Sequence, residues 1–256
     1  MFYCENFHGQ NEVNQVKKKT LVPLIIFLLG ICLVSLIVYK TDVIGKKQKR
    51  TTAQLNATAY GERIKNEITN GIEVTDTLQQ ILISENGEIN YFDTISKNIM
   101  SDSIESIQLA PNGVVTDIYP AEGNETGKID LIHDKDRGEI SCYARDNHVI
   151  ITQGPFDLKR GGCGIAVRNP VYLKDENNQE YFWGFTIVIL RVPDIFSDAI
   201  SALSDFGYEY RLSKTDAPWS DTYKVVYQSD DQLTHTVSYG FTIGEENWKL
   251  EVAPES

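Results

Sequence analysis

The longest apolar run is 21–39, LVPLIIFLLGICLVSLIVY, nineteen positions without a charge between Lys17-Lys18-Lys19 and Lys40. At about 1.5 Å per residue it spans about 28 Å, close to the hydrocarbon thickness of a bilayer. The pattern predicts one transmembrane helix. Pro23 falls in its first turn, where a missing N–H matters least. A cleaved signal peptide would need small residues at a cleavage site, and none follows Tyr39. A retained anchor is therefore expected.

Beyond the anchor the period changes. Ile64, Ile68 and Ile72, then Leu78, Ile81 and Leu82, recur at helical spacing and predict a helix over 47–84. Two readings stand: an exposed juxtamembrane stalk that pairs in a homodimer, or a helix packed on its own domain. Phe92, Ile95 and Ile99 mark a second helix. Two short apolar runs flank Pro111-Asn112-Gly113, a hairpin signal because Asn and Gly accept positive φ. A helix over 134–146, with Asp134 at its N-cap, precedes strand-like runs at 148–152, 164–173 and 181–191. Residues 193–206 suit a helix with Pro193 at its start and Gly207 just past its end. The last fifty residues read as strands at 208–212, 224–228, 235–242 and 248–252. The order predicts an α+β fold, with antiparallel sheets and a few covering helices.

Charge sharpens this division. Residues 1–50 carry eight Lys or Arg and three acids, net +5, against −12 for the chain. The remaining 16 basic and 33 acidic groups give residues 51–256 a net −17. A surface of that sign repels phosphate, which argues against nucleic acid as a partner. Hydrophobic content of 41% excludes a disordered chain. Five basic residues from Lys40 to Arg50 outweigh the three before the run, and that count alone puts the C-terminal side in the cytoplasm. Long domains, however, cross largely regardless of flanking charge.

Catalytic and metal motifs are missing. With four His and no HExxH, CxxC or HxH spacing, neither a metal nor a cofactor is expected. A Cys163–His148 pair is the only hint of a nucleophile, and nothing in the sequence supplies a third, orienting group. Cys142 and Cys163 are the two cysteines past the anchor; they are a candidate disulfide or two ordinary thiols. Gly154, Gly161, Gly162 and Gly164 suit tight turns or an opening for a ligand. In so acidic a domain Arg160 and Arg168 are candidate anchors for a carboxylate or a planar polar group. Tyr119, Phe156, Tyr172, Phe182 and Trp183 are candidate aromatic lining, because ligand pockets are mostly apolar.

Several runs together resemble the CHASE domain, an extracellular sensory domain of bacterial diguanylate cyclases and histidine kinases and of plant cytokinin receptors. They are Gln108-Leu109-Ala110-Pro111-Asn112-Gly113-Val114-Val115, Ile118-Tyr119-Pro120, Gly154-Pro155-Phe156-Asp157-Leu158, Gly161-Gly162-Cys163-Gly164, Arg168-Asn169-Pro170-Val171-Tyr172, Phe182-Trp183-Gly184-Phe185 and Trp248-Lys249-Leu250-Glu251-Val252. Where the family tends to have a Gly-His-Asp-Leu-like run, this chain has Lys128-Ile129-Asp130-Leu131.

The resemblance implies PAS-like sheet units on a long helix, a small-molecule ligand in the membrane-distal unit, and an outward-facing domain. It opposes the flank charge count. The organisation it implies is a cytoplasmic tail at 1–20, an anchor at 21–39, a stalk and start of the sensor at 40–90, and a CHASE-type domain at 91–254. Such domains serve a cytoplasmic cyclase or kinase, here expected on a missing segment or a partner. The chain is thus read as a non-enzymatic membrane sensor. A membrane-tethered module binding protein or cell wall, and an extracytoplasmic hydrolase, are the alternatives.

Overall fold

A computed structural model describes residues 6–121, 129–158, 161–230 and 232–254. The chain divides into two compact units, at Met1–Thr51 and Thr52–Ser256. Helix α1 (Asn6–Ser84) contributes to both. Its part in the first unit contains a stretch apolar enough to cross a membrane, with side chains such as Phe27, Leu29 and Leu33 exposed.

The second unit places two antiparallel sheets on the rest of α1. A short helix α2 (Phe92–Ile99) leads into the hairpin of β1 (Ile104–Pro111) and β2 (Asp117–Tyr119). Asn112 and Gly113 take positive φ at its turn, as the sequence predicts. Helix α3 (Gly138–Asn147) precedes β3 (Ile151–Asp157), β4 (Cys163–Lys174) and β5 (Glu180–Val192). These form a five-stranded sheet in the order β2-β1-β5-β4-β3. After a 3-10 turn comes α4 (Ser197–Asp205), ended by Gly207 at φ 70°. The second sheet, β7-β6-β9-β8, is built from β6 (Tyr208–Thr215), β7 (Tyr223–Gln228), β8 (Val237–Ile243) and β9 (Glu246–Pro254).

Helix α1 is the spine of this unit. Ala53, Ala57, Ile64, Ile68, Leu78 and Leu82 are buried in one apolar core with residues of both sheets. Gln54 donates to the Ser238 carbonyl of β8 at 2.9 Å, while Gln79 donates to the Pro170 carbonyl of β4 at 3.1 Å. The exposed-stalk reading of this stretch is therefore corrected: its apolar stripe is covered by its own domain. The same burial holds Gly61 against Tyr239 and Gly71 against Leu190, so both glycines sit at close approaches. The helix expected from residue 134 starts at Gly138 instead. Asp134 Oδ1 accepts from the backbone N–H of Asp136 and Arg137, at 2.9 and 3.0 Å, and caps the turn before it.

Candidate functional site

The five-stranded sheet is covered on both faces. One face joins the core around α1, and the other packs under α3 and the loop through residue 131. Along a strand, side chains alternate between the faces. Ile107, Leu109, Ile165, Val167, Val188 and Leu190 point to α1 and are buried. Their alternates line a cavity of about 140 Å³ on the other face. Its floor is two rows set by register. Gln108, Ile187 and Arg168 are paired in one row, and Ser106, Ile189 and Ala166 in the next.

The walls come from irregular chain. Ile129 and Leu131 stand on one side, Phe156, Asp157 and Leu158 on another, and Arg137 lies where the loop enters α3. The 129–133 wall is held by an Asx turn: Asp130 Oδ1 accepts from the N–H of Ile132 and of His133, each at 3.0 Å. His133 Nδ1 also meets Asp130 Oδ2 at 2.9 Å. These bonds, the His133 N–H foremost, hold the Asp130 carboxyl below the usual carboxylate range. Asp130→Ala is expected to lower stability by about 1 kcal/mol, because the carboxylate is partly exposed and screened. A folded pKa below the unfolded one means this contribution is present above the unfolded value and lost as pH falls through the folded one. The gap between wild type and variant in urea melts should close in acid; an unchanged gap would remove the turn from this role.

Arg168 is the most deeply buried charge of the cavity lining, 3% exposed. Burial pushes its pKa down to about 9, so the guanidinium is still cationic at neutral pH. Its Nη1 donates to Ser141 Oγ on α3 at 3.3 Å, and its Nε has no partner. The other lining charges are largely engaged: Glu105 pairs with Arg191, and Arg137 approaches Asp134 at 3.6 Å. A wider, more polar cleft of about 760 Å³ shares Arg137 and Phe156 with the cavity and extends to Trp219 and Lys224.

A buried ionic junction lies beside this region. Glu246 of β9 and Lys214 of β6 are both 0% exposed and pair at 3.0 Å. Glu246 Oε2 accepts from the backbone N–H of Thr152 at 2.7 Å and from its hydroxyl. Thr152 lies on β3, so one carboxylate ties the second sheet to the first. Burial pushes the Glu246 carboxyl up, while Lys214 and Thr152 act against it. Tyr143 of α3 adds a bond to Glu245 at 2.5 Å, next to the Glu246 contact. Thr152 follows Ile151, the residue opposite Arg168 in the β3–β4 ladder.

Of the residues singled out in the sequence, Phe156 and Arg168 line the cavity. Arg160 lies outside the described residues. Tyr172 and Phe182 form a separate aromatic row: Tyr172 stacks on His148 at 4.0 Å between centroids, and Phe182 meets Tyr172 edge-on at 5.7 Å. Tyr119 and Trp183 pack against the core around α1. Gly154, Gly161 and Gly162 have positive φ at or near the β3–β4 turn, and Gly164 faces Leu158 and Ile189. Cys142 and Cys163 are free thiols on α3 and β4. The Cys163–His148 pair is not assembled, because His148 stacks on Tyr172, nine residues along β4 from Cys163. That is about 30 Å of strand. Burial also raises the Cys163 pKa, which disfavours the thiolate. Among the described residues, no three His, Cys, Asp or Glu cluster to hold a metal.

Sequence reading missed Ser106, Gln108, Ile187, Ile189, Lys214 and Glu246. For the last two a signal existed. Glu246 has the same strand parity as Trp248, Leu250 and Val252, and Lys214 that of Tyr210 and Leu212, all buried.

No family model matches the chain, and no curated protein sequence does. Solved structures do. An extracellular ligand-binding receptor from Desulfohalobium retbaense aligns with a TM-score of 0.54 at 13% identity, over 81% of this chain. This chain spans 39% of the length of that receptor chain. The ligand-binding domain of the Pseudomonas aeruginosa amino acid chemoreceptor PctC, solved with GABA, aligns with a TM-score of 0.53 at 13% identity. That alignment covers 84% of this chain and 99% of the other. The chain therefore has the fold of extracellular ligand-binding receptor domains.

Proposed function

We propose that this protein is a single-pass membrane sensor, with a cytoplasmic tail at 1–20, the anchor at 21–39 and an outward-facing domain that binds a small molecule. The ligand site is the cavity on the five-stranded sheet, and its occupancy is passed through the Glu246 junction to the second sheet and α1. The observation that carries this reading is the cavity itself, with apolar side chains around one buried guanidinium, in a fold shared with ligand-binding receptor domains. PctC binds GABA in a domain of this fold, which supports a small metabolite as ligand here.

The finer assignment, also proposed, is CHASE-type. Its motif runs fall on the β1–β2 hairpin, the β3–β4 turn and the strands under the cavity. Ligand would act by population shift, favouring one arrangement of the two sheets. A homodimer and a cyclase or kinase output inside the cell belong to the same proposal. The apolar stripe of α1 being covered, the dimer contact falls on its outward face near Leu55, which is 65% exposed.

Thermal-shift screening of the full chain in detergent tests the reading, with amines, carboxylates and purines as the library. A ligand at a hundred times its Kd should add about 2.7 kcal/mol of stability. If the whole library leaves the melting temperature unmoved, the sensor reading fails.

A further inference from the structure

The cavity floor holds one charge with no ion-pair partner among the described residues, the carboxylates of Asp134 and Glu246 acting on it only from a distance. Arg168 is 3% exposed, its Nη1 has a single long bond to Ser141, and its Nε is unpartnered. Among the described residues no carboxylate forms an ion pair with it; Glu105, the buried acid of the lining, is engaged by Arg191. A buried cation left unpaired is strongly unfavourable, and the gap is closed by an anion with matching acceptors. The free Nε belongs to a guanidinium edge whose geometry matches the two oxygens of a carboxylate.

Size and surroundings narrow the class. The cavity of about 140 Å³ is below the usual range for drug-sized ligands, about 300–1,000 Å³. Ile129, Leu131, Ile187 and Ile189 give an apolar enclosure for a short hydrocarbon body. Glu105 and Asp157 in the lining oppose a dianion such as phosphate. We infer that the cavity binds a small aliphatic carboxylate, its oxygens on the Arg168 guanidinium and its body against these four apolar side chains. The inference rests on the sensor reading above and names the chemistry of that site.

The test uses the full chain in nanodiscs and calorimetric titration at fixed ionic strength. The probes are propionate, isovalerate and valine, the amides of the two acids, isobutylamine, and inorganic phosphate. The carboxylates should bind, with the amides, the amine and phosphate about 30-fold weaker or worse. Valine against isovalerate tells whether an ammonium group is tolerated. Arg168→Met should abolish the carboxylate response while the ligand-free melting temperature holds or rises, since an unpaired buried charge is gone. A purely structural arginine would lower that temperature instead. As a second variant, Ala166→Val narrows the floor and leaves Arg168 in place; it should weaken the carboxylates while the protein stays folded. Carboxylate binding that survives Arg168→Met overturns the inference. So does equal or tighter binding of the amides, amine or phosphate, an outcome that leaves the sensor reading standing. Failure of every carboxylate also overturns it, and the wider thermal-shift library then decides separately whether the sensor reading falls.

Discussion

Glu246→Ala should destabilise the protein by about 3–5 kcal/mol, the range for removing one member of a buried pair. For a unit of this size that is about 10 °C in melting temperature. Lys214 is 0% exposed and would retain the Thr215 carbonyl, at 2.8 Å, and the face of Trp248, at 6.0 Å, as its remaining partners. Thr152 would lose the acceptor of its N–H and of its hydroxyl. A double variant, Lys214→Met with Glu246→Leu, should recover most of the loss, because an apolar pair of similar volume avoids burying the charges. Recovery should be incomplete, the Thr152 N–H being still unpaired. Denaturant melts followed by circular dichroism measure both. A single variant within about 1 kcal/mol of wild type would show that the junction does not tie the sheets together.

Gly184→Ala should be comparably severe for a different reason. Gly184 pairs with Pro111 on β1 and Val171 on β4, at φ 154°. A Cβ there would stand 2.1 Å from the Ala110 carbonyl oxygen and 2.7 Å from the Pro111 Cα. Both obstacles are backbone at the end of β1 where it pairs with β5, so relief requires the two strands to separate there. A loss of about 3 kcal/mol or more is expected. Gly240→Ala is the control: its nearest contact would be the Trp248 carbonyl at 3.7 Å, and little change is expected. Equal melts for the two variants would contradict this account of β5.

Much of the fold was legible because its causes are local. The uncharged run at 21–39, the Asn112-Gly113 turn and Gly207 after α4 each follow from chemistry within a few residues. The role of α1 was not, because it depends on what covers it. Gly61 and Gly71 let Tyr239 and Leu190 approach the helix closely, and both partners come from distant strands. The site was legible in part. Arg168 stood out as a cation in an acidic domain, and Phe156 as an aromatic beside glycines. Its floor partners Gln108, Ile187, Ser106 and Ile189 are assembled by the register between β1, β4 and β5, which no local pattern specifies. Tyr172 and Phe182 illustrate the reverse: aromatic character alone could not tell a cavity wall from a stacked row on the same sheet.

Methyl NMR of the isoleucine-labelled full chain in nanodiscs tests the central claim most directly, with a stabilising small molecule titrated in. The methyls of Ile129, Ile187 and Ile189 should shift first and furthest, since they line the cavity. Shifts that leave these three unmoved and fall elsewhere, such as at Ile64 or Ile195 beside α4, would contradict the cavity as the sensor's ligand site.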